Sequence, residues 1–169
     1  VEWQRRERRG RAFLNTPTFM GWPIESSLVA ERSREEFEAM TLVTDRSSLT
    51  WEQRTRVARQ RLSLSYAYTF ERDHTVDTKP PDPFAPAFDI TINIARITAA
   101  AAWDTRDDPS DATRGLLASS SFELAPEAVG SDIRFVRQLW QGYVFRPWRT
   151  SVFASAARAG VVVPLGGQE

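Results

Sequence analysis

Apolar and polar residues alternate more regularly over residues 61–73 than anywhere else in the chain. Every second side chain there is apolar, and the residues between them are small or polar. The apolar set is Leu62, Leu64, Tyr66, Tyr68 and Phe70. Because successive side chains of a β-strand point to opposite faces, this period of two predicts a strand with one apolar and one polar face.

A second alternating stretch, residues 96–122, predicts a β-hairpin. Ile97 and Trp103 fall on the apolar face of its first strand, and Phe122 falls on the apolar face of its second. Residues 107–111 between them are Asp-Asp-Pro-Ser-Asp. These are turn formers, because proline fixes φ and the Asp and Ser side chains bond nearby backbone N–H groups.

The remaining alternating segments predict five further strands, which makes about eight in all. Residues 32–40 are charged and are expected to form a solvated loop, although their Arg-Glu pattern also makes them the best helix candidate. Residues 74–89 contain four prolines and predict the longest loop, since proline cannot donate to a sheet. The five strands cover residues 1–14, 24–33, 41–56, 133–145 and 151–164.

The expected connections alternate in length along the chain. Tight turns are predicted near Gly21, Ala58, Pro109 and Pro147, and longer loops near residues 35, 81 and 127 and at the carboxy-terminal end. Short turns on one side and long loops on the other are typical of an outer-membrane barrel. A soluble β-sandwich alternates in the same way but covers its apolar face with a second sheet, and it stays open as an alternative.

Composition narrows these choices. The 169 residues suffice for one domain, contain no Cys for a disulfide scaffold, and carry a formal net charge of zero, which argues against a nucleic-acid binder. Basic charge is almost entirely Arg, with Lys79 the single Lys. No run reaches the ~18 apolar residues of a spanning helix, whereas barrel strands need only ~9–11 residues. Val1 opens directly in a charged strand-like run, so we expect a mature piece or a fragment of a longer protein.

Several of these segments together resemble the barrel of the BamA/TamA-type outer-membrane assembly proteins, the bacterial surface antigen barrel. The run from Trp103 to Gly115 carries most of the resemblance, and it is followed by a small-residue strand, a Gly-Ser-Asp loop at residues 130–132 and an aromatic strand. Residues 157–167 and the Phe-Leu-Asn-Thr-Pro-Thr-Phe run at 13–19 also fit that family. The matching turn motif comprises Asp104, Arg106, Asp107, Pro109, Thr113, Arg114 and Gly115.

The resemblance implies an all-β fold, an antiparallel transmembrane β-barrel segment of about eight strands. Residues 1–169 would form one partial barrel from the middle strands of about sixteen, without the family's POTRA domains, closing strands or Val-Arg-Gly-Phe/Tyr loop. It also implies a bacterial outer-membrane location, with short turns periplasmic and long loops extracellular. Partners would be the rest of the parent barrel or further copies of the chain, membrane lipids and unfolded outer-membrane protein clients, with no nucleic acid, no cofactor and no enzymatic activity.

In this reading the alternating strands divide the site residues between two surfaces. The lipid-facing set is Leu62, Leu64, Tyr66, Tyr68, Phe70, Ile97, Trp103, Phe122 and Phe153. The lumen-facing set is Arg9, Arg11, Arg46, Glu52, Glu71, Arg96, Glu123 and Arg158. An interfacial girdle is expected from Trp51, Trp103, Trp140, Tyr143 and Trp148, since aromatic rings favour the membrane–water boundary.

Other chemistry has little support in the sequence. His74 is the only His and lies in the proline-rich stretch, so a Ser-His-Asp site or a His-based metal site is not favoured. The Asp cluster around residues 104–111 lacks EF-hand spacing and is interpreted as turn chemistry. Three functions stay open: a wall segment of an outer-membrane protein insertase, a polypeptide secretion pore of the two-partner type, and a soluble lipocalin-like or β-sandwich binding module.

Overall fold

A computed structural model describes residues 5–37, 42–78 and 88–166, and these residues form one antiparallel sheet of eight strands. The strands lie side by side in chain order, so each pairs with the strand before it and the strand after it. This confirms the all-β fold and the eight strands expected from the sequence. The strands are β1 (Arg5–Thr16), β2 (Glu25–Phe37), β3 (Leu42–Val57), β4 (Leu62–Asp77), β5 (Asp89–Asp104), β6 (Gly115–Ala125), β7 (Phe135–Trp148) and β8 (Ser151–Pro164).

The register gives the sheet two chemically different faces, because residues paired across antiparallel strands share a face. Tyr68 pairs with Trp51 and Ile97, whereas the next residue, Thr69, pairs with Thr50 and Arg96. We call the side that carries Leu62 to Phe70 and their register partners the apolar face. The opposite side, which carries Thr69 and its partners, is the polar face.

The described sheet has no second layer and therefore almost no core. Its buried apolar residues are Val43, Ala95 and Ala125, while large apolar side chains along the apolar face are exposed. A β-sandwich or lipocalin-like module would cover that face with another sheet, and none is present in residues 5–37, 42–78 and 88–166. Over the same residues no helix is both long and apolar enough to span a membrane.

The connections fall at two ends of the sheet. The turn end holds residues 17–24, 58–61, 105–114 and 149–150. The loop end is where β2, β4 and β6 finish, and its described connection is residues 126–134. The expected sorting by length is wrong, because the turn-end connection 105–114 is longer than the loop-end connection 126–134. Strand pairing, which continues past the alternating apolar stretches, sets these lengths.

Residues 32–37 are strand, so the predicted loop and helix candidate there are wrong. Arg34 pairs with Arg8 of β1 and with Asp45 of β3, so the charged segment is held in the sheet from both sides. Its charges gave no apolar period to detect, and backbone pairing overrode the local helix pattern. Residues 38–40 of that prediction lie outside the described residues.

The predicted loop over residues 74–89 was also too long. Residues 74–77 continue β4, and residues 89–95, placed before the expected strand start at Arg96, belong to β5. Ile90, Ile92 and Ile94 alternate there with polar residues, which is a strand pattern. The prolines fall at residues 80–86, outside the described residues.

The last hairpin is tighter than the predicted turn at residues 146–150. Residues 146–148 belong to β7, and the turn consists of Arg149 and Thr150. Pro147 pairs with Val152 close to the hairpin end, where a missing N–H is tolerated best.

The loop between β6 and β7 folds back over the apolar face at the loop end. β6 begins to pair with β5 only at Ile97, so the first half of β5 has no strand partner on that side. Asp132 takes this place: its N–H donates to the Asn93 carbonyl oxygen at 2.8 Å, and its carboxylate accepts the Asn93 N–H at 2.7 Å. Tyr68 donates its hydroxyl to the Val129 carbonyl at 3.3 Å, and Ala95 is fully buried. The exposed edge of β5 is thereby partly satisfied.

Candidate membrane-facing and lumen-facing surfaces

The register places every predicted lipid-facing residue on the apolar face. Leu62 to Phe70 define that face on β4, and Ile97, Trp103, Phe122 and Phe153 join it through the register of β5 to β8. Ile97 is 42% exposed and Phe153 63%. These side chains point away from the sheet, which suits an apolar solvent. The β6–β7 loop covers this face only at the loop end, where its Val129 carbonyl accepts the Tyr68 hydroxyl.

The apolar side chains form a continuous band across the strands. On β4 the band runs from Leu62 to Phe70. At about 3.3 Å per residue and a strand tilt of about 40°, this corresponds to about 20 Å along the membrane normal. We call this region the apolar band. Its height is close to the apolar belt of an outer-membrane barrel, about 25 Å.

Polar groups inside the apolar band bond to one another. Gln53 is only 3% exposed; its amide donates to the Ser26 hydroxyl at 3.0 Å, and it accepts the Tyr66 hydroxyl. The Tyr66 ring also packs edge-on against Trp51, with centroids 5.6 Å apart. Because lipid offers no hydrogen bonds, polar groups in a membrane must find such internal partners.

Four of the five residues predicted for the aromatic girdle lie on the apolar face, and one does not. Trp51, Trp103, Trp140 and Trp148 lie on the apolar face, whereas Tyr143 lies on the polar face. The reason is parity: the even-numbered residues of β7 share the face of Trp103. Trp51 lies within the apolar band, in the row of Tyr68, and the other three tryptophans lie towards the turn end.

Every predicted lumen-facing residue lies on the polar face, and most of them form ion pairs. The largest group is the ion-pair ladder of Arg46, Glu71, Asp73 and Arg96. Arg46 donates to both carboxylate oxygens of Asp73 at 2.8 Å and lies 3.1 Å from Glu71. Arg96 lies 3.5 Å from the same Glu71. Three neighbouring strands are thus joined by alternating charges.

The other charged residues predicted for the polar face either form a local ion pair or form none. Arg9 pairs with Glu31 at 2.7 Å, Glu52 pairs with Arg54 at 2.9 Å, and Glu123 pairs with Arg137. Among the described residues the side chains of Arg11 and Arg158 make no ion pair. Both belong to the outermost strands, β1 and β8, which have one neighbour each.

The turn at residues 105–114 is held by side chains of the family-like motif. Arg106 clasps Asp104, with its Nε and Nη2 3.0 and 2.8 Å from the carboxylate oxygens, and donates Nη1 to the Pro109 carbonyl at 3.0 Å. Arg106, not Arg114, therefore ties this turn to the end of β5. The side-chain hydrogen bonds to Asp104, and then the charge of that carboxylate, raise the pKa of the Arg106 guanidinium above its ordinary value.

Asp107 organises the other half of the same turn. Its carboxylate accepts the Thr113 hydroxyl and the backbone N–H groups of Asp108, Thr113 and Arg114, the last three at 3.0–3.1 Å. These hydrogen bonds, that of the Thr113 hydroxyl above all, hold the pKa of Asp107 far below its usual range. The Asp residues therefore serve the turn, and the described residues contain no group of three or more His, Cys, Asp or Glu side chains arranged to hold a metal.

Gly115 closes this turn in a conformation that needs glycine. Its φ is +113°, and a Cβ at this position would lie 2.4 Å from the Thr105 carbonyl oxygen. Thr105 in turn bonds both backbone groups of Leu116, at 3.2 and 3.1 Å. The close approach of the two strands therefore depends on a missing side chain.

Comparison with known proteins identifies the family. The Omp85 superfamily domain matches residues 4–169. The chain belongs to the Omp85 superfamily. A search of curated proteins found no match. Among solved structures, the BamA of Haemophilus ducreyi lacking POTRA domains 1–3 superposes with a TM-score of 0.76 at 12% identity, over 96% of this chain and 34% of that chain.

These matches confirm the resemblance at the level of family and fold. This Omp85 chain spans about a third of the Haemophilus ducreyi structure, and at 12% identity that likeness concerns the fold alone. The superfamily is one of outer-membrane proteins for protein assembly and transport.

Sequence reasoning missed several partners in the Omp85 wall. Asp73, Glu31 and Arg137 complete the ion pairs of the polar face but were not among the predicted lumen-facing residues. Strand parity alone would have placed Asp73 on that face, since it lies two residues from Glu71 in β4, whereas β2 and β7, which hold Glu31 and Arg137, contained no predicted member. Gln53 gave no such signal, because its polar amide interrupts the apolar face.

Proposed function

We propose that this chain is a wall segment of an outer-membrane barrel that inserts and assembles β-barrel proteins in the bacterial outer membrane. The observation that carries the proposal is the division of one sheet into an exposed apolar band and an ion-paired polar face, in a member of the Omp85 superfamily. In this arrangement the apolar face meets lipid and the polar face lines the lumen.

The wall completes its hydrogen bonding through further strands. β1 and β8 each have one paired edge in the described sheet, and an open edge in hydrocarbon would leave N–H and C=O groups without partners. In the proposed assembly the rest of the parent barrel, or further copies of this chain, pairs with both edges. Client strands join at a weakly paired seam of the complete barrel by strand addition, which requires no covalent chemistry and no cofactor.

The polar face keeps this wall in register during that process. The ion-pair ladder joins β3, β4 and β5 through three carboxylate contacts of Arg46 and Arg96. A register slip by one residue would turn each of these charges towards lipid. The ladder therefore favours one register of the wall while neighbouring strands of the barrel open and close.

The test measures client folding in vesicles. The protein that contains this chain is reconstituted in phosphatidylcholine vesicles, and a urea-denatured outer-membrane barrel is added as client. We expect the client to fold faster than in vesicles that hold an unrelated barrel of similar size, measured by its mobility shift in unheated gels. Passage of a soluble client without faster folding would indicate the secretion pore, and a protein monodisperse without detergent would contradict any membrane role.

A further inference from the structure

Three arginines stand out on the apolar face, immediately beyond the apolar band at the loop end. Gly10, Arg32, Ser47 and Arg72 are paired in that order across β1 to β4 and form one row. Arg8 lies on β1 in the next row towards the loop end. All three arginines are exposed. They lie next to the row of Phe70, so they stand at the level where a bilayer's headgroups would meet the wall.

These arginines have no carboxylate partner among the residues whose side chains the structure describes. Among the described residues four acids lie at this end of the apolar face, and each already has a partner. Arg34 lies 3.2 Å from Glu36 and 4.0 Å from Asp45. His74 lies 2.9 Å from Asp89, and Asp132 accepts from Asn93.

The polar face of the same strands shows the opposite arrangement. Arg9 and Arg46 lie on the polar face at this end of the sheet. Arg9 forms an ion pair with Glu31 at 2.7 Å, and Arg46 forms one with Asp73 at 2.8 Å. The lack of partners therefore belongs to Arg8, Arg32 and Arg72 and not to every arginine at the loop end.

The register also brings like charges together. Arg8 is the direct cross-strand partner of Arg34, and Arg32 lies diagonally beside them. Like charges directly opposite destabilise a strand pair. Glu36 and Asp45 offset the charge of Arg34, but among the described residues Arg8 and Arg32 make no ion pair of their own, so this arrangement favours a further anion beside them. Gly10 leaves room for one, since nothing lies within 4 Å of its Cβ position. A concavity of about 410 Å³ opens there. It is lined by four arginines, one glycine and one carboxylate: Arg8, Arg9, Arg32, Arg34, Gly10 and Asp45.

We propose that Arg8, Arg32 and Arg72 bind the phosphate groups of a membrane lipid headgroup. Guanidinium groups match phosphate oxygens with paired hydrogen bonds and keep their charge at any physiological pH. Strands one apart in a sheet lie about 4.8 Å from each other, so Arg32 and Arg72 flank Ser47 at a backbone distance of about 10 Å. Two phosphates of one headgroup, or of two neighbouring lipids, fit between these long side chains.

The lipid is favoured over a free anion by the position of the site. The acyl chains of a lipid held here would run along the apolar band below it, over Phe70 and its register partners. This inference rests on the proposed function, because only a membrane wall brings that face against lipid. Each basic residue near an anionic membrane surface strengthens binding roughly fivefold, so the three together contribute about a hundredfold.

The test compares two charge-matched triple variants of the protein that contains this chain. One is Arg8→Gln, Arg32→Gln and Arg72→Gln. The control is Arg56→Gln, Arg59→Gln and Arg61→Gln at the turn end, where all three side chains are also exposed and make no ion pair among the described residues. Native mass spectrometry in detergent measures the apparent Kd for lipid A with two phosphates, its dephosphorylated form and phosphatidylglycerol.

We expect the first triple to bind the phosphorylated lipids about a hundredfold more weakly than wild type, and the control to bind as wild type does. Equal binding by the two triples, or equal binding of dephosphorylated lipid A, would overturn the proposal. Full competition by millimolar inorganic phosphate would do so too, by showing a free-anion site. Client folding by wild-type protein in vesicles is measured separately, so a failure of the proposed function is distinguishable from a failure of this site.

Discussion

Two adjacent residues in the middle of β5 offer the sharpest test of which face meets lipid. Ile97 lies on the apolar face, one row from the centre of the apolar band, and Thr98 lies on the polar face at the same depth. Arg at a lipid-facing position near the bilayer centre costs about 2–4 kcal/mol. Losing the lipid contact of Ile97, which is 42% exposed, adds about 1 kcal/mol if full burial of Ile is worth about 2. We expect Ile97→Arg to destabilise the barrel by about 3–5 kcal/mol.

Thr98→Arg is the matched control, with the same new charge one residue away. Thr98 pairs with Glu123 across the polar face, so a new Arg there meets water and a carboxylate and should change stability by less than about 1 kcal/mol. Urea titrations in vesicles, followed by Trp fluorescence, measure both free energies of unfolding. A cost for Thr98→Arg that equals or exceeds that of Ile97→Arg would refute the assignment of the two faces.

Three further predictions address the polar face and the turn end. Arg46→Gln should lower the free energy of unfolding by about 1–2 kcal/mol, because two carboxylates lose their shared partner, whereas Arg54→Gln should cost less than about 0.5 kcal/mol; equal costs in urea titrations would contradict a role for the ladder. Asp107→Asn should destabilise the turn by a constant amount above the carboxyl's ordinary pKa of 3.8. Since the folded pKa is depressed, that difference should vanish only as pH falls below this value, and unfolding midpoints from pH 2.5 to 7 measure it. Gly115→Ala should cost more than about 3 kcal/mol, because its Cβ would clash with backbone at φ +113°, while Gly142→Ala, with open space around its Cβ position, should cost less than about 1 kcal/mol in the same titrations.

Within the apolar band the sequence predicts which face of the sheet each residue occupies, because lipid on one face and water on the other impose a strict period of two. Leu62 to Phe70 contain no exception, and a single correct parity fixes the face of every neighbour in the strand. Tyr143 shows the limit of reading residue type instead of parity. An aromatic ring suits either a girdle or a lumen, and only its odd number in β7 separates it from Trp140.

Beyond the apolar band the period of two is lost in β2, where water meets both faces of the strand. Residues 32–37 carry charges on both faces, so no period distinguishes them from a loop, yet pairing with β1 and β3 keeps them in the sheet. The ion pairs were unpredictable for a related reason. Whether Arg46 meets Asp73 depends on a register set by the turn at residues 58–61, where three consecutive non-glycine residues have positive φ.

The partners of charged groups mark where the wall leaves the membrane. On the apolar face of β4 no charged side chain occurs between Arg61, at the turn, and Arg72. Eleven residue steps at about 3.3 Å, tilted by about 40°, give about 28 Å along the membrane normal, close to the hydrocarbon thickness of a bilayer. Within that span the buried amide of Gln53 bonds to its neighbours, and charges occur only on the polar face, most of them in pairs. At the loop end this span finishes at the row of Arg32 and Arg72, where arginines without ion pairs appear on the apolar face. The proposed headgroup level is therefore the row at which charged side chains first occur on that face.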